Sequence, residues 1–509
     1  MDCQSRGGAL NEENYRRICE ACDRALSASD TTLERVAIPW LHVLNEHPAN
    51  LTQYAQLFER RKASLSDFLG ATKRFLSVTK TFMKALIFRR QINIPPKVDV
   101  LIISHLLNQS QVGAVEDFYF GKLPEFLIAK GLNTVVALRN QVSKGIDFTE
   151  CSWPTTMARR ILLPETLSWL NELRLKHKLR EEAVRLKKTV LRITNDFDAR
   201  IYETAAQQAV APSAIATLRL HTQIKDMVKV MQPTSIVVTY EGHAWERIVF
   251  AAARSVNPYI RCIGYHHTIL FPRQHAISRT LCQPYDPDII CTAGHVTREI
   301  LEKSFGLGCI SVVTVGVHRQ QNLEVIFSEK VRAQFAPACL VIPDGTISEC
   351  LLFFNYVLKA AIELPTINFI VRLHPVMPLS TIIDCDVRLK SLPRNVQISN
   401  DEIEIDFERC RWVIYRGSSA VIRAVATGLR PFYLKPANEI LNIDPLNKMN
   451  SWKRIVQNTT DLKEGLDFDL SNNFEDLEKE WLSAHQYCKQ YFTPQNYEKF
   501  YHAVLGDQG

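Results

Sequence analysis

The sequence lacks any long apolar segment. Across its 509 residues, no uninterrupted apolar stretch reaches the roughly 18 to 20 residues that a transmembrane helix needs. The start, Met1-Asp2-Cys3-Gln4, leads into no apolar core behind a basic segment, which is the pattern of a secretory signal. Internal repeats and low-complexity tracts are also missing. We therefore expect a cytoplasmic protein.

Cysteines are present but show no disulfide or metal-site pattern. The 13 cysteines are scattered, and only Cys19 and Cys22 form a Cys-x-x-Cys pair. No second pair stands at the spacing of a zinc site. Reduced thiols, which are typical of a cytosolic protein, explain this usage better than zinc or redox chemistry.

The composition is that of a large globular protein, with 46% hydrophobic and 23% charged residues. The length exceeds what one hydrophobic core usually serves, which predicts two domains with additions. The formal net charge of +7 is small for this length. Nucleic-acid binding needs denser positive charge with exposed aromatic residues, so we expect no nucleic-acid partner.

Basic residues concentrate in two runs. Residues 174–192 read as the solvated face of a helix. In residues 73–90, apolar and basic positions interleave at near-helical spacing. Such a basic amphipathic helix can lie on an anionic membrane surface, although a helix packed on the next domain with its cations in water has the same pattern. The inner membrane surface is therefore a candidate partner.

Short apolar runs alternate with helical segments from residue 97 onward, which predicts parallel sheets and an α/β fold. The predicted strands lie at residues 98–103, 134–138, 235–239, 260–264, 289–291, 312–315, 339–342, 367–371, 412–415 and 432–434. The predicted parts are a helical N-terminal region (1–96), a Rossmann-like domain (97–330) with a helical insertion at about 155–230, a second Rossmann-like domain (331–485) and a C-terminal helical segment (486–509).

Two polar segments each follow a predicted strand of the second domain. They are Arg372-Leu373-His374-Pro375 and Tyr415-Arg416-Gly417-Ser418-Ser419-Ala420. Ligands of open α/β sheets bind at the carboxyl ends of the strands, and a Gly-Ser-Ser turn before a helix presents hydroxyl and N–H groups to an anion. Each segment alone also fits a simple helix cap or a strand-ending turn. The candidate phosphate ligands are Arg372, His374, Arg416, Gly417, Ser418 and Ser419.

The order of Pro343-Asp344-Gly345, RLHP and YRGSSA resembles the C-terminal half of GT-B glycosyltransferases that assemble bacterial capsule and O-antigen. The most similar are sialyl- and Kdo-transferases that use CMP-sugars, together with CDP-glycerol polyol-phosphate transferases. The resemblance implies that His374, Ser418 and Ser419 hold the nucleotide phosphate of the donor. Arg416 departs from the family pattern, as either an extra phosphate contact or a salt bridge.

A second resemblance lies upstream, in YEGHAWER at residues 240–247 and GYHH at residues 264–267. These segments are similar to a motif of predicted surface-carbohydrate glycosyltransferases. An inverting transfer needs an acid or a histidine that takes the acceptor proton. Glu241, which follows a predicted strand, is the leading candidate, unless it is an acid at the start of the next helix.

Asp117 is the rival base, unless it caps the helix that contains Leu123 and Phe126. Further cleft candidates are Glu246, which pairs with a cation such as Arg247 or holds a loop, and His266 and His267, one of which contacts the phosphate or the acceptor unless both are buried.

These resemblances imply an inverting GT-B glycosyltransferase that moves a sugar from a nucleotide-sugar, with CMP-activated 2-keto sugars as the candidate donor class, to a surface glycan or lipid-linked acceptor. No Asp-x-Asp follows a strand, and we interpret Asp384-Cys385-Asp386 as a loop, so we expect neither a metal nor another cofactor. The alternatives are a nucleotide-sugar 2-epimerase of the same fold and a non-catalytic scaffold in a polysaccharide assembly complex.

Overall fold

A computed structural model provides the structure. It describes residues 11–43, 52–55, 57–58, 94–142, 158–304, 306–308, 310–318, 337–375, 377–437, 439, 441–471 and 474–506. The basic run at residues 73–90 lies outside the described residues, so its predicted amphipathic helix stays a prediction.

The described part of the N-terminal region is helical. It comprises α1 (Glu12–Leu26), α2 (Leu33–Val36) and α3 (Thr52–Ala55). The side chain of Asn11 caps α1 by accepting a hydrogen bond from the N–H of Asn14. Cys19 and Cys22 both lie on the buried face of α1, and burial raises the pKa of the Cys19 thiol to about 12. Both thiols are therefore packed as small apolar groups.

The first domain is built on a seven-stranded parallel sheet. Its strand order is β3-β2-β1-β4-β5-β6-β7, so the chain moves outward from β1 in one direction and then in the other, as in a Rossmann fold. The strands are β1 (Val100–Leu106), β2 (Thr134–Asn140), β3 (Arg159–Leu162), β4 (Ser235–Thr239), β5 (Arg261–His266), β6 (Ile289–Thr292) and β7 (Ser311–Thr314). The interior strands β1, β4 and β6 are fully buried, which matches their apolar sequences.

Helices cover this sheet and extend from it. They are α4 (Leu123–Ala129), α5 (Trp169–Val190), α6 (Asp196–Ala209), α7 (Pro212–Met231), α8 (Ala244–Arg254) and α9 (His295–Glu302). The predicted insertion at about 155–230 was wrong at its start, because Arg159–Leu162 pairs with β2 as an edge strand. The α5–α7 part is helical, and the cations of residues 174–192 lie mostly on its exposed face as predicted.

The second domain is built on a six-stranded parallel sheet with the order β10-β9-β8-β11-β12-β13. The direction of the chain again reverses at the first strand, between β8 and β11. The strands are β8 (Ala338–Ile342), β9 (Asn368–Val371), β10 (Val396–Ile398), β11 (Trp412–Tyr415), β12 (Arg430–Leu434) and β13 (Arg454–Val456). The predicted α/β class with two Rossmann-like domains is confirmed.

The helices of this domain are α10 (Ile347–Glu363), α11 (Leu379–Cys385), α12 (Ile403–Arg409), α13 (Ala420–Ala426) and α14 (Thr459–Ser471). One expectation is corrected here. Asp384 and Cys385 form the last residues of α11, and Asp386 begins a 3-10 turn by accepting from the N–H of Arg388, so the segment is not a plain loop.

The chain ends by returning to the first domain. The C-terminal part of the chain is helical and contains two helices, α15 (Phe474–Tyr491) and α16 (Tyr497–Leu505), because Pro494 lies between them. α15 packs on α13 of the second domain and on α9 of the first. α16 lies on the first sheet, where the carbonyl of Val504 accepts from Ser235 Oγ at 2.8 Å. A side chain at Gly294 would meet the carbonyl oxygen of Tyr491 at 2.1 Å, so this crossing requires glycine.

Candidate functional site

The carboxyl edges of the two sheets face one cleft, which has three connected parts. The central cavity has a volume of about 400 Å³ and is lined by both domains. Its lining includes Glu241, Thr268, Phe271 and Gln274 from the first domain and Asp344, Thr346, His374, Gly417, Ser418 and Ser419 from the second. Both sheets place their switch points at this cleft, which is where α/β folds bind ligands.

Two side pockets adjoin the central cavity. The histidine pocket, of about 290 Å³, is lined by His105, Tyr119, Gln141, Thr239, Glu241, His243, Trp245, Glu246 and His267. The aromatic pocket, of about 320 Å³, includes Phe118, Tyr119, Tyr265, His267, His318, Ser419 and Phe492. Glu241 lines both the central cavity and the histidine pocket, and Ser419 lines both the central cavity and the aromatic pocket.

The predicted Gly-Ser-Ser turn contributes one wall of the central cavity. It joins β11 to α13, and Ser418 and Ser419 both face the cavity. A Cβ atom at Gly417 would lie 2.3 Å from a carboxylate oxygen of Asp344. Glycine is therefore required at position 417 for Asp344, at the end of β8, to approach this turn.

His374 contributes a second wall. It follows β9 in a turn that is closed by a hydrogen bond from the N–H of Met377 to the carbonyl of His374 at 2.8 Å. The surrounding protein partly desolvates the imidazole and lowers its pKa. A bound anion would oppose this shift, because opposite charge favours the protonated form.

Arg372 and Arg416 do not line the central cavity, so the expectation that they contact a phosphate gains no support. The Arg372 guanidinium donates to Asp406 Oδ2 at 2.9 Å. Arg416 is only 5% exposed and forms ion pairs with the carboxylates of Glu349 and Glu439, the second at 3.0 Å. A buried guanidinium with two carboxylate partners is a structural ion pair, which was the alternative considered for Arg416.

Glu241 lies between β4 and α8. Its carboxylate is 3.1 Å from His243 Nε2, and its side chain is 20% exposed toward the cleft. Since α8 begins at Ala244 with His243 as the N-cap residue, Glu241 is not an acid of the helix start. Gly242 follows with a φ of +83°, and a Cβ there would lie 2.2 Å from the carbonyl oxygen of Ala276. The loop that carries Glu241 therefore packs closely against the backbone at Ala276.

Glu246 holds this loop, which was one of the two roles predicted for it. It is buried, and its Oε2 accepts hydrogen bonds from the N–H groups of Glu241 at 2.9 Å and His243 at 2.8 Å. It does not pair with Arg247, whose buried guanidinium contacts Asp286 and the carbonyl of Ala276.

The two glutamates of this loop have opposite pKa shifts. Burial raises the pKa of Glu246 to about 7. Burial also acts to raise the pKa of Glu241, but the hydrogen bond and positive charge of His243 outweigh it, and the pKa falls below the usual range. Environments that push the pKa values of neighbouring groups apart are typical of acid and base pairs.

The two histidines of the GYHH segment differ. His266 is fully buried, and its Nδ1 lies 3.2 Å from the carbonyl oxygen of Tyr240. Burial lowers its pKa, which favours the neutral ring. His267 instead lines both side pockets, with its ring centroid 4.4 Å from that of Tyr119. Only His267 of the pair therefore reaches the cleft.

Asp117 is held behind the cleft wall and lines none of the three pockets. Its Oδ1 accepts from Ser104 Oγ at 2.9 Å and from the N–H groups of Tyr119 at 2.8 Å and Phe120 at 2.9 Å. It also does not cap α4, which begins at Leu123 after Lys122. Asp117 therefore shapes the turn that places Tyr119 in the cleft, and its prediction as the base gains no support.

Three residues of the histidine pocket, His105, Gln141 and Thr239, were not among the predicted site residues. His105 Nε2 lies 3.2 Å from Thr239 Oγ1, and its Nδ1 lies 2.9 Å from Gln141 Nε2. Burial lowers the pKa of His105 to about 3, so the ring is neutral. The usable signal was position, because each of the three residues lies at the carboxyl end of a strand.

Among the residues that the structure describes, no three or more histidine, cysteine, aspartate or glutamate side chains are grouped to hold a metal ion. Within the same ranges, no helix has the length and apolar character to cross a bilayer.

No protein-family model matches this sequence, and no curated protein matches it either. Among solved structures, the chain is similar to the glycotransferase of kitacinnamycin (11% identity, TM-score 0.47, 81% of this chain and 100% of that one). It is also similar to MurG of Acinetobacter baumannii (11%, 0.42, 80% and 99%). A third is a putative UDP-N-acetylglucosamine 2-epimerase of Listeria monocytogenes (10%, 0.46, 80% and 96%). Similarities this weak carry no information on substrate or reaction.

Proposed function

We propose that the protein is a glycosyltransferase that moves a sugar from a nucleotide-activated donor to a hydroxyl acceptor. The observation that supports the proposal is that His374, Ser418 and Ser419 of the second domain line the same cavity as Glu241 of the first. The volume of about 400 Å³ is in the usual range for a small-molecule site. In this proposal, the groups that bind the donor phosphate face the general base across one cavity.

The donor phosphate is bound by the second domain in this proposal. The hydroxyl groups of Ser418 and Ser419 and the imidazole of His374 donate hydrogen bonds to it. As the bond between the anomeric carbon and the phosphate oxygen breaks, its electron pair stays on the phosphate. Fixed hydrogen-bond donors stabilise this growing negative charge more strongly in the transition state than in the ground state, and this difference lowers the activation barrier.

Glu241 is the proposed general base. Its carboxylate accepts the proton of the acceptor hydroxyl as the oxygen attacks the anomeric carbon from the face opposite to the phosphate, so the configuration inverts. A lowered pKa keeps Glu241 ionised at neutral pH, and His243 at 3.1 Å stabilises this charge. No step of this mechanism requires a metal ion.

The acceptor enters from the first domain. The histidine pocket, which shares Glu241 with the central cavity, has Trp245 and Tyr119 beside polar groups. Aromatic faces next to hydrogen-bonding side chains suit a sugar ring, which has apolar faces and a polar rim. A glycan or lipid-linked acceptor is therefore proposed, while a CMP-sugar as donor rests on the sequence resemblance alone.

A nucleotide-sugar 2-epimerase is the second candidate. The observation that favours it is that two carboxylates, Glu241 and Asp344, line the central cavity. Proton removal and return at a sugar carbon need such groups. The two reactions differ in product, since an epimerase forms an isomeric nucleotide-sugar and consumes no acceptor.

Nucleotide binding tests the proposal first. The purified protein would be melted with CMP, CDP, UDP, GDP and their sugars, because a ligand that binds the folded state raises the melting temperature. We expect a shift with one nucleotide family, lost in His374→Ala and kept in His177→Ala, an exposed histidine of α5. No shift with any nucleotide would contradict both enzymes and favour a scaffold. With the binding sugar-nucleotide in hand, release of the free nucleotide on addition of an acceptor glycan separates transfer from epimerisation.

A further inference from the structure

The outward face of α5 is unusually apolar for an exposed surface. Its first turn exposes Trp169 at 44%, Leu170 at 48% and Leu173 at 43%. Val184 is 51% exposed further along, and Leu191, just past the end of the helix, is 86% exposed. The buried core residues of α5 lie on the opposite face of the helix. The exposed apolar side chains are therefore not needed to pack α5 on the protein.

The same face is strongly basic. Its exposed cations are Arg174, Lys178, Arg180, Arg185, Lys187, Lys188 and Arg192. Glu181 is the one exposed acid between positions 169 and 192 of this described segment. Lys178 and Arg185 approach acids at 3.7 Å and 3.5 Å, respectively. The excess of positive charge on this face is therefore not neutralised by the protein itself.

The charge pattern on this face disfavours a second copy of the chain as the partner. Leu170, His177, Val184 and Leu191 are spaced by seven residues, as in one line of a coiled coil. The companion line is Leu173, Arg180 and Lys187. Two such faces would bring the cations of the companion line together, which is unfavourable. The partner must instead carry negative charge.

We propose that the outward face of α5 binds an anionic membrane surface. A bilayer with anionic lipids offers negative headgroups to the cations and an apolar interior to Trp169 and the leucines, whereas a nucleic acid offers only the first. The 22-residue helix is roughly 33 Å long, so the whole face can lie flat on such a surface. Its residues differ from those of the basic run at residues 73–90.

The position of the helix connects this surface to the cleft. Trp169 follows the carboxyl end of β3 by a short connection, and the carboxyl ends of this sheet line the cleft. The apolar end of the face therefore begins on the cleft side of the first domain. A bound membrane would lie where an acceptor anchored in it can approach the histidine pocket. The surface itself is independent of the proposed reaction.

Vesicle binding tests this surface without any enzymatic readout. The full-length protein would be sedimented with vesicles of phosphatidylcholine alone and with vesicles in which phosphatidylglycerol replaces a third of the lipid. We expect binding to the anionic vesicles only, weakened by salt. Lys187→Gln/Lys188→Gln/Arg192→Gln should lower the partition coefficient on the order of a hundredfold, since each cation near an anionic surface contributes about a factor of five.

Two further variants make the test specific. Trp169→Ser/Leu173→Ser should reduce the binding that survives at high salt, because that part depends on apolar insertion. The matched control is Lys390→Gln/Lys435→Gln/Lys463→Gln, which removes three exposed cations of the second domain and should bind like the original protein. Melting curves would verify that each variant is folded. Equal loss in the control, equal binding to both vesicle types, or binding of poly(U) RNA in place of vesicles would overturn the proposal.

Discussion

The backbone N–H of Glu241 donates a hydrogen bond to Oε2 of Glu246 at 2.9 Å. An acid with a raised pKa therefore fixes the position of an acid with a lowered one. A substitution at Glu246 should therefore change the position of the Glu241 loop, because the same Oε2 also accepts a hydrogen bond from the N–H of His243.

The free energy of unfolding should depend on pH because of Glu246. Its pKa of about 7 in the folded chain lies above the 4.5 of an unperturbed glutamate, so the folded state holds the extra proton between these pH values. The contribution of the neutral acid is thus full below the lower pKa and is lost as pH rises through the upper one. Relative to Glu246→Gln, which does not titrate, the original protein should lose about 3 kcal/mol of unfolding free energy over this interval.

Urea denaturation of both proteins at several pH values measures this difference. Glu464→Gln, at an exposed acid of α14, is the matched control and should give a difference that is flat with pH. If the difference in unfolding free energy between Glu246→Gln and the original protein also stayed constant with pH, burial would not raise the pKa of Glu246.

Glu241→Gln should abolish transfer while nucleotide binding is kept. The amide preserves the size of the side chain but cannot accept the acceptor proton, and the loss of a general base typically lowers the rate by about 10² to 10⁴. Single-turnover transfer and a nucleotide titration on the same preparation separate the two effects. Transfer that persists in both Glu241→Gln and Asp117→Asn would remove both candidates for the base.

Ser418→Ala and Ser419→Ala should each weaken nucleotide binding. Loss of a hydrogen bond to a charged group costs about 1.5 to 3 kcal/mol, which is roughly a ten- to hundredfold rise in Kd. Isothermal titration measures this change, and Ser391→Ala, at an exposed serine of the same domain, should leave Kd unchanged. An unchanged Kd in both cleft variants would mean that the turn does not hold the phosphate.

Arg416→Ala should destabilise the second domain rather than alter the ligand site. It would leave the buried carboxylates of Glu349 and Glu439 without their cation, and breaking a buried ion pair in this way costs about 3 to 5 kcal/mol. The midpoint of chemical denaturation should fall, and Arg416→Lys should recover part of the loss. A stable Arg416→Ala protein with a higher nucleotide Kd would restore Arg416 as a phosphate ligand.

The sequence predicted the sheets well because their interior strands are buried on both faces and therefore read as continuous apolar runs. The strands that it missed are edge strands. Arg159–Leu162 begins with two arginines, and Val396–Ile398 and Arg454–Val456 span only three residues each, so none has a recognisable pattern. Their pairing depends on the neighbouring strand, which a local pattern does not contain.

The site was predicted in part for a similar reason. His374, Ser418 and Glu241 each follow a strand, and parallel strands bring their carboxyl ends to one edge. The sequence could not show that Arg372 and Arg416 form ion pairs, because their carboxylate partners are remote in sequence. Glu349 precedes Arg416 by 67 residues, and Asp406 follows Arg372 by 34. A cation beside a ligand-binding motif cannot be assigned until the nearest carboxylate in space is known.

The return of the chain to the first domain limits how the protein can be divided and how it can move. Because Val504 and its neighbours complete the surface of the first sheet, a fragment that stops before the second domain would expose that surface to water. The polypeptide also passes between the domains twice, once after β7 and once at the end of α15. At the second crossing, α15 packs on α13 of the second domain and on α9 of the first, so a movement of one domain relative to the other would have to change one of these contacts.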